Sequence, residues 1–190
     1  NSLFPDSEHI NMEVMNELVA LGGISNFSDV ELTKVLAGKM ASANTSVETY
    51  TERVRASCSP KDFETMFQLL YLRFTQPRMD MDAYQSYKTR AKASLQNMEV
   101  NPMVAFNDSI QKAIYGNHPR VVRLKTDMID LIDYNKVMEM YKERFSDASG
   151  FTFVLVGNID LETVKPLIED YLAALPGLNL NETYKDINLN

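Results

Sequence analysis

Apolar residues recur along most of the chain at helical spacing. After Pro5, the positions Ile10, Val14, Leu18 and Leu21 share one face, and Gly22-Gly23 supplies the left-handed stop that ends a helix. Ser28 caps a second, shorter helix carrying Val30, Leu32, Val35 and Leu36, closed by Gly38. Between Lys39 and Ser57 the period changes to two. Tyr50, Val54, Ala56 and Cys58 fall on one side, and Thr51, Arg53, Arg55 and Ser57 on the other, as in a half-buried strand. Met40 to Thr49, rich in Ala, Ser and Thr, is the expected antiparallel partner.

Helical spacing then returns. Ser59-Pro60 opens a helix whose inner face is Phe63, Met66, Phe67, Leu70 and Phe74, ending before Pro77. The next carries Tyr84, Tyr87, Ala91, Leu95 and Met98, with Lys88, Arg90 and Lys92 around its outer side. Asn101-Pro102 restarts the pattern with Met103, Phe106, Ile110 and Ile114 inward and Gly116 as terminator. Asp133 caps a helix presenting Tyr134, Val137, Met138, Tyr141 and Phe145. Phe151 to Val156 is almost continuously apolar, which predicts a strand covered on both faces. Gly157-Asn158 turns the chain, and Asp160 caps a last helix built on Val164, Leu167, Ile168, Tyr171 and Leu175, stopped by Pro176-Gly177.

Many helices and few strands predict an α+β domain, a helical layer on a small, mostly antiparallel or mixed sheet. The strands are too few to complete such a sheet, so further strands are expected outside the chain, before Asn1. Residues 1–178 are read as one domain and the polar stretch 179–190, which closes no apolar pattern, as a linker to a following domain.

Composition narrows the function. The chain has 190 residues, 45% apolar and 24% charged, enough to bury a core. A net charge of −7 without a basic cluster gives phosphate backbones nothing to bind, so nucleic acid is not an expected partner. The apolar runs fall far short of the roughly 20 residues that span a bilayer. The first residues, Asn1 to Asp6, have neither the basic nor the apolar region of a secretory signal, and the single cysteine, Cys58, leaves the redox compartment open.

Candidate chemistry is sparse. A zinc site needs three or four converging ligands, and the two histidines, His9 and His118, stand far apart with one cysteine between them. Cys58 lies on the inward face of its strand, where a thiol behaves as a small hydrophobe. His118 reads as an exposed loop residue and His9 as part of a helix entrance. Asp62, Asp133 and Asp160 sit where helix starts favour them. There is no glycine-rich phosphate loop, and the 11 methionines read as core filler.

The segment Thr126 to Gly177 nevertheless carries a resemblance. A helix ending Tyr141-Lys142-Glu143-Arg144-Phe145, the run Phe151 to Asp160, and a helix closing Tyr171-Leu172-Ala173-Ala174-Leu175-Pro176-Gly177 are similar to the end of the repeated domain of pitrilysin/insulinase-like zinc metallopeptidases. Upstream, Leu32 to Lys39, Ser59 to Glu64 and Leu70 to Arg78 resemble the third of four such domains in long-chain bacterial members. The resemblance implies a metallohydrolase-like roll of the mitochondrial-processing-peptidase type, lacking its first strands. Active first domains of that family carry His-x-x-Glu-His on a helix shortly before a glycine. The matching helix here, Met12 to Gly22, places Glu13 and Glu17 at the ligand positions and Asn16 at the general base. Both imidazoles are missing, so the resemblance implies a domain with no catalytic residue, no metal and no cofactor of its own. It further implies a parent protein with zinc in another domain, in which this one helps to enclose peptide substrate and hold two halves together. Expected partners are other domains of the same polypeptide, the parent's peptide substrates and, through an open sheet edge, a second copy of the fragment. A bacterial periplasmic or envelope location follows from the same resemblance. The alternative it leaves is an inactive member serving in assembly or peptide binding without proteolysis.

Overall fold

The structure is a computed structural model that describes residues 1–189. In chain order it contains helices α1 (His9–Gly22) and α2 (Asp29–Val35), strands β1 (Ala41–Val47) and β2 (Glu52–Cys58), then helices α3 (Phe63–Thr75), α4 (Met81–Glu99), α5 (Pro102–Tyr115), α6 (Tyr134–Arg144) and α7 (Leu161–Leu167). Short 3-10 turns cover Asp6–Glu8, Pro60–Asp62, Pro119–Val121 and Thr126–Leu131, and one turn of π-helix extends α7 over Ile168–Leu172. The result is the expected α+β arrangement, a helical layer on a two-stranded antiparallel sheet.

Local chemistry sets these boundaries. Ser28 and Glu31 form a reciprocal capping box at the start of α2, and Asp133 accepts the Lys136 N–H at the start of α6. Gly23 ends α1 at φ +82°, and a Cβ on Gly22 would lie 2.0 Å from the Arg78 carbonyl oxygen, so the two glycines serve different needs. β1 and β2 pair from Ala41↔Cys58 to Val47↔Glu52.

α1 and α3 pack on β1, and α6 and α4 pack on α1. Tyr141 of α6 and Phe145 at its C-terminal cap are fully buried at the centre of the core. The Phe145 ring stands edge-on to Phe74 of α3 at 5.0 Å and lies 4.6 Å from Tyr141. The Tyr141 hydroxyl donates to the Arg73 carbonyl at 2.9 Å and shares a second bond with Thr45 Oγ1 at 2.9 Å, tying α6 to α3 and β1.

Four expectations need correction. Phe151 to Val156 is not paired in a ladder, and instead of being covered on both faces it is buried alternately, with Val154 and Val156 78% and 91% exposed. A strand exists only through a neighbour's hydrogen bonds, and the described residues place no strand against this one. The face Met103, Phe106, Ile110 and Ile114 of α5 does not point inward: all four residues are exposed, because α5 rests on α4 and, through Asp108, on Arg123, and projects from the core. In α2 only Leu32 is buried, Val30 and Val35 being open to solvent. Asp160 precedes α7, but its carboxylate takes the Thr163 hydroxyl and caps no backbone N–H.

Asp62 ties the two ends of the hairpin to α3. It accepts the Ser59 hydroxyl at 2.5 Å and the Met40 N–H at 3.0 Å, and these bonds, the hydroxyl foremost, hold its pKa below the ordinary 3.8. Its stabilisation is therefore complete above that value and fades as pH falls through the lower folded one. The stability gap between the protein and Asp62→Asn should be constant above about pH 5 and shrink in acid, as read by urea denaturation across pH. At neutral pH, Tyr141→Phe should cost about 1–2 kcal/mol, the hydroxyl's partners being left unsatisfied, and Phe145→Ala about 3–5 kcal/mol, by the same measurement.

Candidate functional site

Glu13, Asn16 and Glu17 stand at helical spacings of three and four on α1, so the helix brings them to one face. The side chains of Glu13 and Glu17 are exposed. Asn16 works differently: its Nδ2 donates to the Val47 carbonyl at 3.1 Å and its Oδ1 accepts the Val47 N–H at 2.8 Å. A carboxamide is suited to this task because it carries a donor and an acceptor side by side. The result is a two-point clamp holding the end of β1 against α1.

Tyr87 of α4 is buried beside this face. Burial chiefly, then the Glu17 charge and a hydrogen bond to Glu17, push its hydroxyl far above the ordinary 10.0, with Glu13 adding to the push. The face thus carries two carboxylates, a carboxamide occupied by backbone and a phenol locked in its neutral form. It carries no imidazole of the kind that holds a metal in the family's motif.

The other candidates are spread over the molecule. Asp6 gathers both histidines: His9 Nδ1 lies 3.0 Å from its carbonyl oxygen and His118 Nε2 3.9 Å from its carboxylate. No spacing in the sequence signals this convergence, since the loop of Pro119–Val121 must first fold back on the Asp6–Glu8 turn. Arg120 already holds that carboxylate at 2.6 Å. Among the described residues no group of three or more His, Cys, Asp or Glu side chains is placed to hold a metal ion. Cys58 is half-buried, and burial followed by the Asp62 charge raises its thiol pKa, which keeps it protonated.

Residues that matter here escaped the sequence reading. Arg73, buried on α3, donates through Nε to the Ala43 carbonyl at 3.2 Å. Arg144, buried on α6, spans Glu143 and Glu182 at 2.7 and 2.8 Å. Neither partner could be named before the register of β1 and the path of the final segment were known. Asn16→Ala should lower stability by about 1 kcal/mol and speed amide exchange at Val47, without changing metal content. Asn16→Asp should cost more, since a carboxylate would face the Val47 carbonyl.

Comparison with known proteins places this geometry. A family model, the peptidase M16 inactive domain, matches residues 132–190. A zinc protease PQQL-like protein of Arabidopsis thaliana is 25% identical over 174 residues, covering 91% of this chain and 18% of that protein. The periplasmic protease PqqL from Escherichia coli shares the fold with a TM-score of 0.79 at 20% identity, over 96% of this chain and 20% of that one. A peptidase M16 inactive domain from Pseudomonas fluorescens matches with a TM-score of 0.64 at 18% identity, over 90% of this chain and 43% of that one. The chain therefore spans about a fifth of the length of the zinc proteases it matches. The resemblance to pitrilysin/insulinase-type peptidases holds in sequence and in fold, and this chain is similar to the inactive domain of M16 zinc proteases.

Proposed function

We propose that residues 1–178 are a non-catalytic domain of a larger zinc metalloendopeptidase, with 179–190 leading to a following domain. In this reading the domain helps to enclose peptide substrate and to hold the enzyme's halves together. The observation that carries it is the use of the motif face: where an active domain needs a base, Asn16 is spent on the backbone of β1. The zinc and its activated water belong to another domain of the parent. The periplasmic PqqL supports an envelope location for a parent of this kind.

The exposed stripe Met103, Phe106 and Ile110 on α5 is the surface on which a neighbouring domain rests, since apolar stripes of this extent mark protein contacts. In the parent enzyme, Glu13→Gln with Glu17→Gln should leave kcat within a few-fold of the unmodified protein. A loss on the order of a thousandfold, with folding and zinc content intact, would assign chemistry to these side chains and end this reading. Phe106→Asp with Ile110→Asp should raise KM for long peptides while leaving short ones unaffected, because closure is impaired and chemistry is not.

A further inference from the structure

The polar stretch after the last helix is bound to the domain along its path. Ala148 N–H donates to the Pro176 carbonyl at 2.7 Å, and the Asp147 carboxylate accepts the N–H groups of Leu178 and Leu180 at 2.8 and 2.7 Å. Asn179 between them stands at φ +55°, a left-handed conformation that asparagine adopts more readily than most residues. Beyond it, Glu182 takes both terminal nitrogens of Arg144 at 2.8 and 3.1 Å, a two-point charged contact. Tyr184 stands edge-on to Tyr50 in the hairpin turn, with ring centres 5.6 Å apart. Lys185 N–H then donates to Ser2 Oγ at 3.2 Å.

The same contacts hold the first residues. Ser2 and Phe4 are buried although they precede the first helical turn and belong to no strand. The Arg144 guanidinium lies over the Phe4 ring, 5.2 Å from its centre, while its nitrogens hold Glu182. Ser2 accepts Lys185 through its hydroxyl and donates its own N–H to the Thr49 carbonyl at 2.6 Å. Hairpin turn, first segment and last segment therefore lie side by side, and Arg144 and Ser2 each serve two of these contacts.

A second partner of Arg144 makes the last segment separable from the core. Glu143, its neighbour on α6, accepts Nη2 at 2.7 Å. A buried guanidinium stripped of every carboxylate is strongly destabilising. With Glu143 in place, Glu182 can leave and the charge stays paired. We infer that residues 178–185 form a releasable strap: latched on Arg144 and Asp147, it pins Asn1 to Phe4 beside the hairpin turn, and when it lifts the two segments loosen together while the core stays folded.

Hydrogen exchange across this domain, read within the parent polypeptide, tests the strap. Without substitution, the amides of Leu178, Leu180, Lys185 and Ser2 should exchange at least about 100-fold more slowly than in an unstructured chain. Glu182→Gln removes one charge from a half-exposed side chain and leaves Arg144 with Glu143. It should speed exchange at least about tenfold in both segments, at Leu178 to Lys185 and at Ser2 and Leu3, and leave the α6 amides Val137 to Tyr141 within about threefold. Asp147→Asn should give the same pattern from the other anchor. Free exchange over Leu178 to Lys185 in the unsubstituted protein would overturn the strap, as would unchanged exchange in both variants. Faster exchange in the last segment alone, with Ser2 and Leu3 still protected, would overturn the coupling, and a loss that spreads into α6 would show that the segment is not separable from the core. None of these outcomes depends on whether the domain encloses substrate, so the strap and the proposed function can fail separately.

Discussion

The outer edge of β1 is held by side chains from three helices, and the arrangement of the domain depends on that grip. Asn16 from α1 takes the Val47 backbone, Arg73 from α3 takes the Ala43 carbonyl, and Tyr141 from α6 meets Thr45. A two-stranded sheet has little stability of its own. Here each helix arrives with an apolar face and one polar group aimed at the strand, so packing and hydrogen bonding fix the same orientation. Tyr141 adds a second constraint through the Arg73 carbonyl, which makes the grips of α3 and α6 interdependent.

That grip also separates two kinds of surface. The edge of β1 is covered against further strands by helices whose side chains take the Val47 N–H and C=O and the Ala43 C=O, a common way of protecting an edge. Among the described residues the edge of β2 has no such guard. The alternation along Phe151 to Val156 shows the same incompleteness, since one face meets Phe74 and Phe145 while the other is bare. A run that is apolar on both sides but covered on only one is better explained by cover supplied from elsewhere than by a solvent-facing role.

Much of this was legible in the sequence, and the failures share one cause. Helices whose faces bury against this chain's own core, such as Val14 and Leu18 or Tyr141 and Phe145, were placed correctly because periodicity reports burial directly. The hairpin was found from the change of period, although its first strand, Ala41 to Val47, is poor in apolar residues. Phe106 and Ile110, and Val154 and Val156, were assigned inward on the same logic and are exposed. Periodicity records that a face is meant to be covered and is silent on whether the cover lies within the chain. The expectation that Glu13, Asn16 and Glu17 stand at a degenerate motif rests on the resemblance alone. The clamp on Val47 was not legible, because residues 16 and 47 meet only once the sheet has folded back on α1.

The clamp bears on whether this face could regain a metal site. Restoring His-x-x-Glu-His would put imidazoles at 13 and 17, both exposed, where a substitution meets little packing resistance. The middle position is the obstacle. A glutamate at 16 is longer than asparagine and offers only acceptors, so it can neither donate to the Val47 carbonyl nor keep the same reach to the Val47 N–H. A general base must also have a free carboxylate facing the metal-bound water. One side chain cannot both hold the end of β1 and stand free toward a water molecule. In this domain position 16 serves the clamp, and a glutamate placed there would first require another way of holding Val47.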